Sequence, residues 1–458
     1  MSIIFCPSPR HIAVPVRAVV IFGLALLSPG LLIPISSGLF CLAWLEARAE
    51  TQATQDDDPL MTLDKALGLA LLGNPGLGEI KARAEAMAAI PSQQGTLPDP
   101  QIKFGALYLP TNSFNLQQDD FTMFEVGISQ ELPFPGKLAL REKIAEQEAL
   151  AAADSVDEVR LRLVQEIKTG WWRLFYYDRA LKLLDEADRF FLQLIDIAQT
   201  KYRVAQGTQN DVLLVQLELS KLKAEKLNLT SMRHGQEARF NALLARAPEK
   251  TVRIPAEAEV KLPDIVASVL QDKAIKLRPL FAQHRKMLAA AQSKVDLANK
   301  GFYPDFTLGA FYDARQNTLS GQSRSDFASV QLSMNLPIYV ERKLGKAVDQ
   351  RKSELLQERY ALQGDHQKAQ AEIAAKVADY ENIKAKLSLL EHEIIPQAQQ
   401  TLDSLLAGYQ VNQMEFSDLL RTQLSFFQYQ TQYWLALSNT QQILAELSAE
   451  VGEELSHD

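Results

Sequence analysis

A strand-like pattern gives way to a helical one within Phe124-Glu125-Val126-Gly127-Ile128-Ser129-Gln130-Glu131-Leu132-Pro133-Phe134-Pro135-Gly136-Lys137. Up to Leu132, apolar residues alternate with polar or small ones, which places the two sets on opposite faces of a strand. Pro133 and Pro135 remove backbone donors and fix φ, and Gly136 follows them, so the chain can leave a sheet here. We therefore predict a strand, a tight connector and a helix that begins at Lys137.

That helix is predicted to be unusually long. Sequence with a helical pattern runs from 137 to about 205 without a proline. At a rise of ~1.5 Å per residue, such a helix extends on the order of 100 Å if it is continuous. Later in the chain, apolar Ile373, Tyr380, Leu387 and Ile394 lie seven residues apart, which favours lateral packing of long helices.

The sequence contains an internal repeat with a shift of roughly 204 to 207 residues. The repeated landmarks are Leu97-Pro98-Asp99 with Tyr303-Pro304-Asp305, Gln130-Glu131-Leu132-Pro133 with Met334-Asn335-Leu336-Pro337, and Tyr202 and Asp211 with Tyr409 and Asp418. This duplication predicts two similar halves, 50–255 and 256–458, in which Pro337 takes the connector position of Pro133. Each half should contain a helix, two strands, a long helix and a further helix.

Hydrophobic periodicity sets the expected bounds of these elements. In the first half, strands are predicted at about 101–109 and 122–132, and helices at about 60–94, 137–205 and 210–244. In the second half, strands are predicted at about 305–313 and 327–336, and helices at about 264–300, 342–407 and 416–449.

The N-terminal segment has the pattern of an export signal. Arg10 and Arg17 precede an apolar run, and Ala47-Arg48-Ala49 supplies small residues where signal peptidase cuts. We predict a signal peptide at 1–49, with an uncleaved membrane anchor as the alternative. Both cysteines, Cys6 and Cys41, lie in this segment, so the exported chain should hold neither a disulfide framework nor a thiolate site.

Composition and motifs exclude several classes of function. The formal net charge is −8, and acidic and basic residues are mixed along the chain, so nothing favours a nucleic-acid partner. The histidines lack a metal-binding spacing, and phosphate-binding loops and nucleophile elbows are missing from the sequence. We therefore predict no catalytic residues, no metal site and no cofactor.

The alternating stretches have about the length of tilted transmembrane strands. Four strands cannot close a barrel, and an open edge cannot face lipid because its backbone groups would lose their hydrogen bonds. Three copies of the chain would supply a twelve-stranded barrel, so a membrane location would require a trimer. The alternative is a soluble α+β protein with two ordinary hairpins.

Taken together, these motifs resemble the TolC-type outer-membrane factors. The resemblance rests on Met61-Thr62-Leu63-Asp64-Lys65-Ala66-Leu67, Asn74-Pro75, Leu97-Pro98-Asp99-Pro100, the Gln130–Lys137 segment and the two Tyr-to-Asp elbows, and it covers residues 50–458. The connector and the strands before it look similar to those of the CzcC-like branch that serves heavy-metal efflux.

This resemblance implies a mainly α fold with a small transmembrane β part. The expected assembly is a homotrimer in the bacterial outer membrane, whose twelve-stranded β-barrel continues into a long periplasmic α-helical barrel. The implied partners are a periplasmic adaptor (membrane fusion protein), an inner-membrane pump of the resistance-nodulation-division type and outer-membrane lipid. The implied function is a passive exit duct, for heavy-metal cations in this branch and for drugs or secreted proteins in others; a periplasmic coiled-coil scaffold is the remaining alternative.

The same resemblance implies a periplasmic gate at the two elbows. Tyr202 and Tyr409 would hold the helices together, while Asp418 and Asp211 would line the mouth and favour cations. Residues alone leave helix capping open as another role for both aspartates. Met414 and Arg421 depart from the family pattern by standing where an arginine and a second acidic residue can occur.

Overall fold

The computed structural model describes residues 60–411 and 413–455. These residues form a mainly α-helical protein with one small antiparallel sheet. The predicted signal peptide at 1–49 lies outside the described residues.

Helices and strands alternate in the same order in the two halves of the chain. The helices of the first half are α1 (Leu63–Gly73), α2 (Pro75–Ala88), α3 (Ile90–Gly95), α4 (Lys137–Arg203) and α5 (Gln209–Leu243), with strands β1 (Gln101–Leu107) and β2 (Met123–Leu132) between α3 and α4. The second half contains α6 (Ala267–Leu277), α7 (Pro279–Lys300), β3 (Phe306–Ala314), β4 (Phe327–Met334), α8 (Lys346–Leu389), α9 (Ile395–Gln410) and α10 (Phe416–Val451).

The helix predicted at about 60–94 is divided into three in the structure, and the one at about 264–300 into two. Asn74 separates α1 from α2, and its side chain accepts a hydrogen bond from the Leu77 N–H at 3.1 Å. Pro75 and Pro279 each occupy the first position of a new helix, because proline lacks the N–H that a continuing helix needs.

A further difference lies at about 342–407, where two π-helical segments, Val340–Gly345 and Leu390–Ile394, flank α8. The second segment directly precedes α9, which carries Pro396 in its first turn. Since Pro396 cannot donate to a carbonyl one turn earlier, the helix widens locally and then continues.

The α4 helix is continuous over 67 residues, which corresponds to ~100 Å. It packs against α5, α7 and α10 along its length. One core cluster surrounds Trp171, Trp172 and Phe175, and a second lies between the ends of the helices around Phe191, Leu419 and Tyr409. Among the described helices, none is both long and apolar enough to cross a membrane.

A buried ionic cluster joins three helical regions of the chain. Arg278, at the break between α6 and α7, is 4% exposed and donates to both Glu158 of α4 and Glu450 of α10. Its Nη2 lies 2.9 Å from Glu158 Oε1. Gly452 takes a left-handed φ of 82° and touches the Arg278 backbone so closely that a Cβ there would lie 2.9 Å from the Arg278 Cα. This close approach brings the end of α10 against the helix break.

The sheet has the order β1-β2-β3-β4, and all neighbours are antiparallel. The first hairpin comes from the first half and the second hairpin from the second half, and β2 pairs with β3 from Phe124↔Ala314 to Leu132↔Phe306. The duplicated hairpins therefore form one sheet, with β1 and β4 as its edges.

Candidate functional site: one sheet and two helical elbows

One face of the sheet is apolar and exposed. The register aligns Ile102, Ile128 and Val330 in one row and Phe104, Val126 and Tyr312 in another. Ten large hydrophobic side chains on this face are each exposed by 42% or more: Ile102, Phe104, Phe124, Val126, Ile128, Leu308, Tyr312, Val330, Leu332 and Met334. Contiguous exposed apolar surface of this kind marks contact with lipid or with another protein.

The opposite face carries mostly polar and small residues, together with Met123, Phe311 and Phe327. Its rows combine Lys103 with Gly127, Glu125 with Asp313, and Glu131 with Thr307. Asp313 is buried, although its neighbour Tyr312 on the apolar face is exposed. Since alternate residues of a strand point to opposite faces, the sheet separates an apolar environment from a polar one.

The connectors join the sheet to the helices through bonds between the two halves. Gly136 adopts a left-handed φ of 89° directly before α4. The buried Lys137 side chain donates to Asp305 Oδ1 at 2.8 Å and to the Tyr303 carbonyl at 2.9 Å. Phe134 stacks on Tyr303, with the ring centroids 4.5 Å apart.

The remaining predicted connector residues differ in their surroundings. Pro133 is half-buried, whereas Pro135 is exposed. Pro337 is half-buried and follows β4, but the apolar side chains around it are open to solvent: Leu336, Ile338 and Tyr339 are 68–70% exposed. The second connector therefore carries apolar surface that the single chain does not cover.

The first elbow links α4 to α5 through a tight turn. Ala205 has a left-handed φ of 55°, and the Gln206 N–H donates to the Lys201 carbonyl at 2.8 Å. Asp211 forms a reciprocal capping box with Thr208, in which Thr208 N donates to Asp211 Oδ2 at 3.0 Å. Tyr202 is 49% exposed on the outside of this turn. Asp211 thus stabilises the start of α5, although it is not itself the N-cap residue.

The second elbow lies against the first. Tyr409 is buried, its ring centroid is 5.3 Å from that of Phe416, and the Lys201 amine lies 4.0 Å above it while donating to the Tyr409 carbonyl. Burial and the nearby charge of Asp211 raise the pKa of the Tyr409 hydroxyl. The structure therefore brings Tyr409 and Asp211 close together, whereas exposed Tyr202 does not share this core.

Asp418 occupies a different environment from Asp211. It lies in the first turn of α10 and is exposed, and the N-cap residue Glu415 makes no side-chain cap bond. The side chain of Met414 folds back onto Gly408, where it fills the space beside α9. Within the described part of the chain, Asp418 takes part in no ion pair, so its carboxylate is open to solvent at the elbow.

Comparison with known proteins identifies the family of this chain. The profile of the outer membrane efflux protein family matches residues 66–246 and 270–453. The chain belongs to the outer membrane efflux protein family. The family resemblance and the outer-membrane location predicted from the sequence are thereby confirmed, and the family consists of channel proteins rather than enzymes.

Individual relatives of this outer membrane efflux protein are distant. The cobalt-zinc-cadmium resistance protein CzcC of Cupriavidus metallidurans is 20% identical over 403 residues, which cover 86% of this chain and 90% of that protein. The toxin and drug export protein A of Aggregatibacter actinomycetemcomitans is 21% identical over 46% of this chain. The chain spans about half, 47%, of the length of the latter protein and of an uncharacterised Haemophilus influenzae relative.

Solved structures agree with the fold. The outer membrane protein VceC of Vibrio cholerae superposes with a TM-score of 0.73 at 19% identity, covering 85% of this chain and 96% of VceC. The predicted fold class, a mainly α protein with a helical barrel part and a β-barrel part, is confirmed by this likeness.

Two residues of the site were not anticipated from the sequence. In the sequence, Asp305 is part of a repeated Pro-Asp landmark, which does not identify it as the partner of Lys137. Lys201 precedes Tyr202 by one residue, and its contact with Tyr409 depends on how the two elbows meet. A search for opposite charges flanking repeated landmarks would have found Asp305, but no sequence signal would have found Lys201.

Proposed function

We propose that this protein forms a homotrimeric, passive exit duct in the outer membrane, in which three sheets close into a twelve-stranded barrel. The observation that carries the proposal is the combination of an exposed apolar sheet face with open edges at β1 and β4. In lipid, the backbone N–H and C=O groups along such edges cannot remain without hydrogen-bond partners. Pairing β4 of one chain with β1 of the next satisfies these groups.

Uncovered surface outside the sheet supports the same assembly. The apolar segment Leu336–Val340 lies at the junction of sheet and helices and is largely exposed in the single chain. A neighbouring chain at this level would bury it at the same time as it extends the sheet. The length of α4, ~100 Å, suits a helical barrel that continues into the periplasm.

The elbows are the proposed periplasmic gate of this duct. Tyr409 and Lys201 hold the two elbows together, and Asp418 presents its carboxylate to the mouth, with Asp211 close behind in its capping box. A ring of Asp418 carboxylates raises the local concentration of cations. Tyr202 is exposed where it can contact a neighbouring chain.

The proposed partners are a periplasmic adaptor and an inner-membrane pump of the resistance-nodulation-division type, because a passive duct needs an energy source elsewhere. Heavy-metal cations are the proposed substrates. Support comes from the named metal-resistance relative, which this chain matches over 90% of its length, and from the exposed acidic residue at the elbow. Drug or toxin export is the second candidate, favoured by the drug-export relative that matches half of this chain.

The substrate proposal can be tested by deleting the gene in the native host and restoring it on a plasmid. The deletion strain should become sensitive to cobalt, zinc or cadmium salts, and the wild-type gene should restore growth. Unchanged metal tolerance together with new sensitivity to hydrophobic drugs would reject the metal proposal in favour of drug export. Pump and adaptor levels are checked by immunoblot so that a polar effect of the deletion is not mistaken for loss of the duct.

A further inference from the structure

Phe311 is a large aromatic residue on the polar face of the sheet. Its own strand, β3, places Thr307, Gly309 and Asp313 on that face, while Ala310 and Tyr312 lie on the exposed apolar face. Phe311 is only 8% exposed even in the single chain, in contrast to Tyr312 at 52%. Its ring is therefore covered by something other than a neighbouring subunit.

Two glycines provide the space that the Phe311 ring occupies. Gly127 on β2 pairs directly with Phe311, and a Cβ on Gly127 would lie 2.6 Å from Cε1 of the ring. A Cβ on Gly309 would lie 2.7 Å from Cε2 on the other side. Because both distances are shorter than real Cβ contacts, the ring can rest against the sheet only while residues 127 and 309 lack side chains.

A lysine completes the surroundings of the ring. Lys103 on β1 pairs with Gly127 and places its amine 5.6 Å from the centre of the Phe311 ring. Ser329 on β4 continues the same row on the other side of Phe311. The row that crosses the sheet at this level thus carries the Lys103 amine, the Phe311 ring lying flat over Gly127, and the Ser329 hydroxyl.

We infer that the glycine cradle of Gly127 and Gly309 sets the bore of the channel by holding Phe311 flat against the barrel wall. The inference rests on the proposed function, because it requires the polar face of the sheet to be the lumen of a closed barrel. In a trimer, three Phe311 rings lie at one level. If the rings stood upright, they would fill much of the narrow interior of a twelve-stranded barrel.

The test is single-channel conductance of purified protein in planar lipid bilayers. Gly127→Ala displaces the ring into the lumen, and the conductance of the open state should fall roughly twofold or more, because with the gate open a constriction in the barrel dominates the resistance of the pore. The double variant G127A/F311A should recover wild-type conductance or exceed it. Gly105→Ala is the matched control, since a Cβ at Gly105 meets only a Leu107 methyl at 3.8 Å and no ring.

A second measurement covers the case in which Gly127→Ala fails to assemble. Phe311→Cys and Ala310→Cys are each exposed to a charged, membrane-impermeant thiol reagent during the recording. Phe311→Cys should lose conductance on modification, whereas Ala310→Cys on the lipid face should not.

Two results overturn the inference without touching the proposed function: a wild-type conductance in Gly127→Ala, or a loss in Gly127→Ala that Phe311→Ala does not rescue. Block of Ala310→Cys in place of Phe311→Cys would overturn both, because it would place the apolar face in the lumen. Recovery of the wild-type protein as a monomer that is soluble without detergent would instead reject the proposed function.

Discussion

The amine of Lys137 lies 2.8 Å from Oδ1 of Asp305, and the same oxygen accepts the Phe134 N–H at 2.7 Å. Lys137 begins the long helix of the first half, whereas Asp305 precedes the first strand of the second half. Asp305 also exchanges hydrogen bonds with Asn335 beyond β4, at 2.6 Å and 3.2 Å. Asp305 therefore fixes the junction between sheet and helices in both halves, through its carboxylate in the first half and through its backbone N–H and C=O in the second.

Replacing Asp305 by alanine should destabilise this junction. The variant leaves the 6%-exposed Lys137 without its carboxylate and removes the acceptor of the Phe134 N–H, a loss of about 2–3 kcal/mol for charged hydrogen bonds of this kind. Asp305→Asn should cost less because its amide oxygen can still accept from Phe134. The measurement is the unfolding temperature in detergent by circular dichroism. Equal unfolding temperatures for Asp305→Ala and the wild type would show that the pair contributes nothing.

The same carboxylate gives the junction a pH dependence that serves as a control. Burial alone would raise the pKa of Asp305, but hydrogen bonds from Lys137 and Phe134 and the charges of Lys137 and Arg141 hold it below the ordinary value. A depressed carboxyl pKa stabilises the folded state above the unfolded-state pKa, and this contribution is lost as the pH falls through the folded-state value. Asp305→Asn should therefore show a weaker acid destabilisation than the wild type.

The buried Arg278 cluster predicts unequal effects for its members. Arg278→Met leaves Glu158 and Glu450 buried together without their cation, which should cost roughly 3–5 kcal/mol. Burial and the charges of Glu372 and Glu158 raise the pKa of Glu450 against the opposing charges of Arg278 and Arg162. Its stabilising contribution is therefore complete below the unfolded-state pKa and is lost as the pH rises through the folded-state value.

Glu450→Gln should thus lower the free energy of unfolding less than Arg278→Met does. It should also remove the loss of stability that the titration of Glu450 causes between acid and neutral pH. Unfolding temperatures measured across that pH range for both variants and the wild type provide the check. A Glu450→Gln variant as unstable as Arg278→Met at neutral pH would contradict the account.

The two elbow aspartates are predicted to differ. Asp418→Ala should lower cation-over-anion selectivity in planar bilayers and leave the unfolding temperature unchanged, because the exposed carboxylate has no capping partner. Asp211→Ala should instead weaken the start of α5 by ~1 kcal/mol through loss of the capping box, seen as faster amide exchange near Thr208. If Asp211→Ala changed selectivity more than Asp418→Ala, the assignment of the mouth residue would be reversed.

The Tyr409→Phe variant tests what the hydroxyl of Tyr409 contributes to the elbow. Its hydroxyl oxygen is buried and lacks a hydrogen-bond partner among the described residues of the single chain. Tyr409→Phe removes this oxygen while keeping the ring contacts with Lys201 and Phe416, so the unfolding temperature should stay level or rise. The resting current should also match that of the wild type, because the contacts with Lys201 that join the two elbows involve the ring and the carbonyl of Tyr409, not its hydroxyl. A marked fall in unfolding temperature would show a partner for the hydroxyl that the single chain does not supply.

Much of the fold could be predicted from the sequence because its determinants are local. Alternation at Phe124–Leu132 specifies a two-faced strand, and the proline-rich connector specifies where the strand ends and α4 begins. The observed strands differ from the predicted bounds by at most two residues at their ends, as at β1 and β4. Duplicated landmarks then extend this pattern to the second half.

Features that depend on distant contacts could not be predicted in the same way. The breaks at Pro75 and Pro279 have a local signal that helical periodicity obscured, whereas the π-helical segment before Pro396 depends on how the helix accommodates a missing donor. Alternation along β3 places Phe311 and Tyr312 on opposite faces of the sheet, but only one of the two glycines that receive the Phe311 ring, Gly309, is on that strand; Gly127 belongs to β2. The elbow contact between Lys201 and Tyr409 likewise spans the two halves.

The most direct test of the central claim is the mass of the protein extracted from outer membranes, measured by light scattering with correction for bound detergent. The account predicts a stable trimer, in which three sheets pool their edges into one barrel. A monomer that stays soluble without detergent would contradict it, because the exposed apolar face and the open edges of the sheet would then have neither lipid nor a neighbouring chain to cover them.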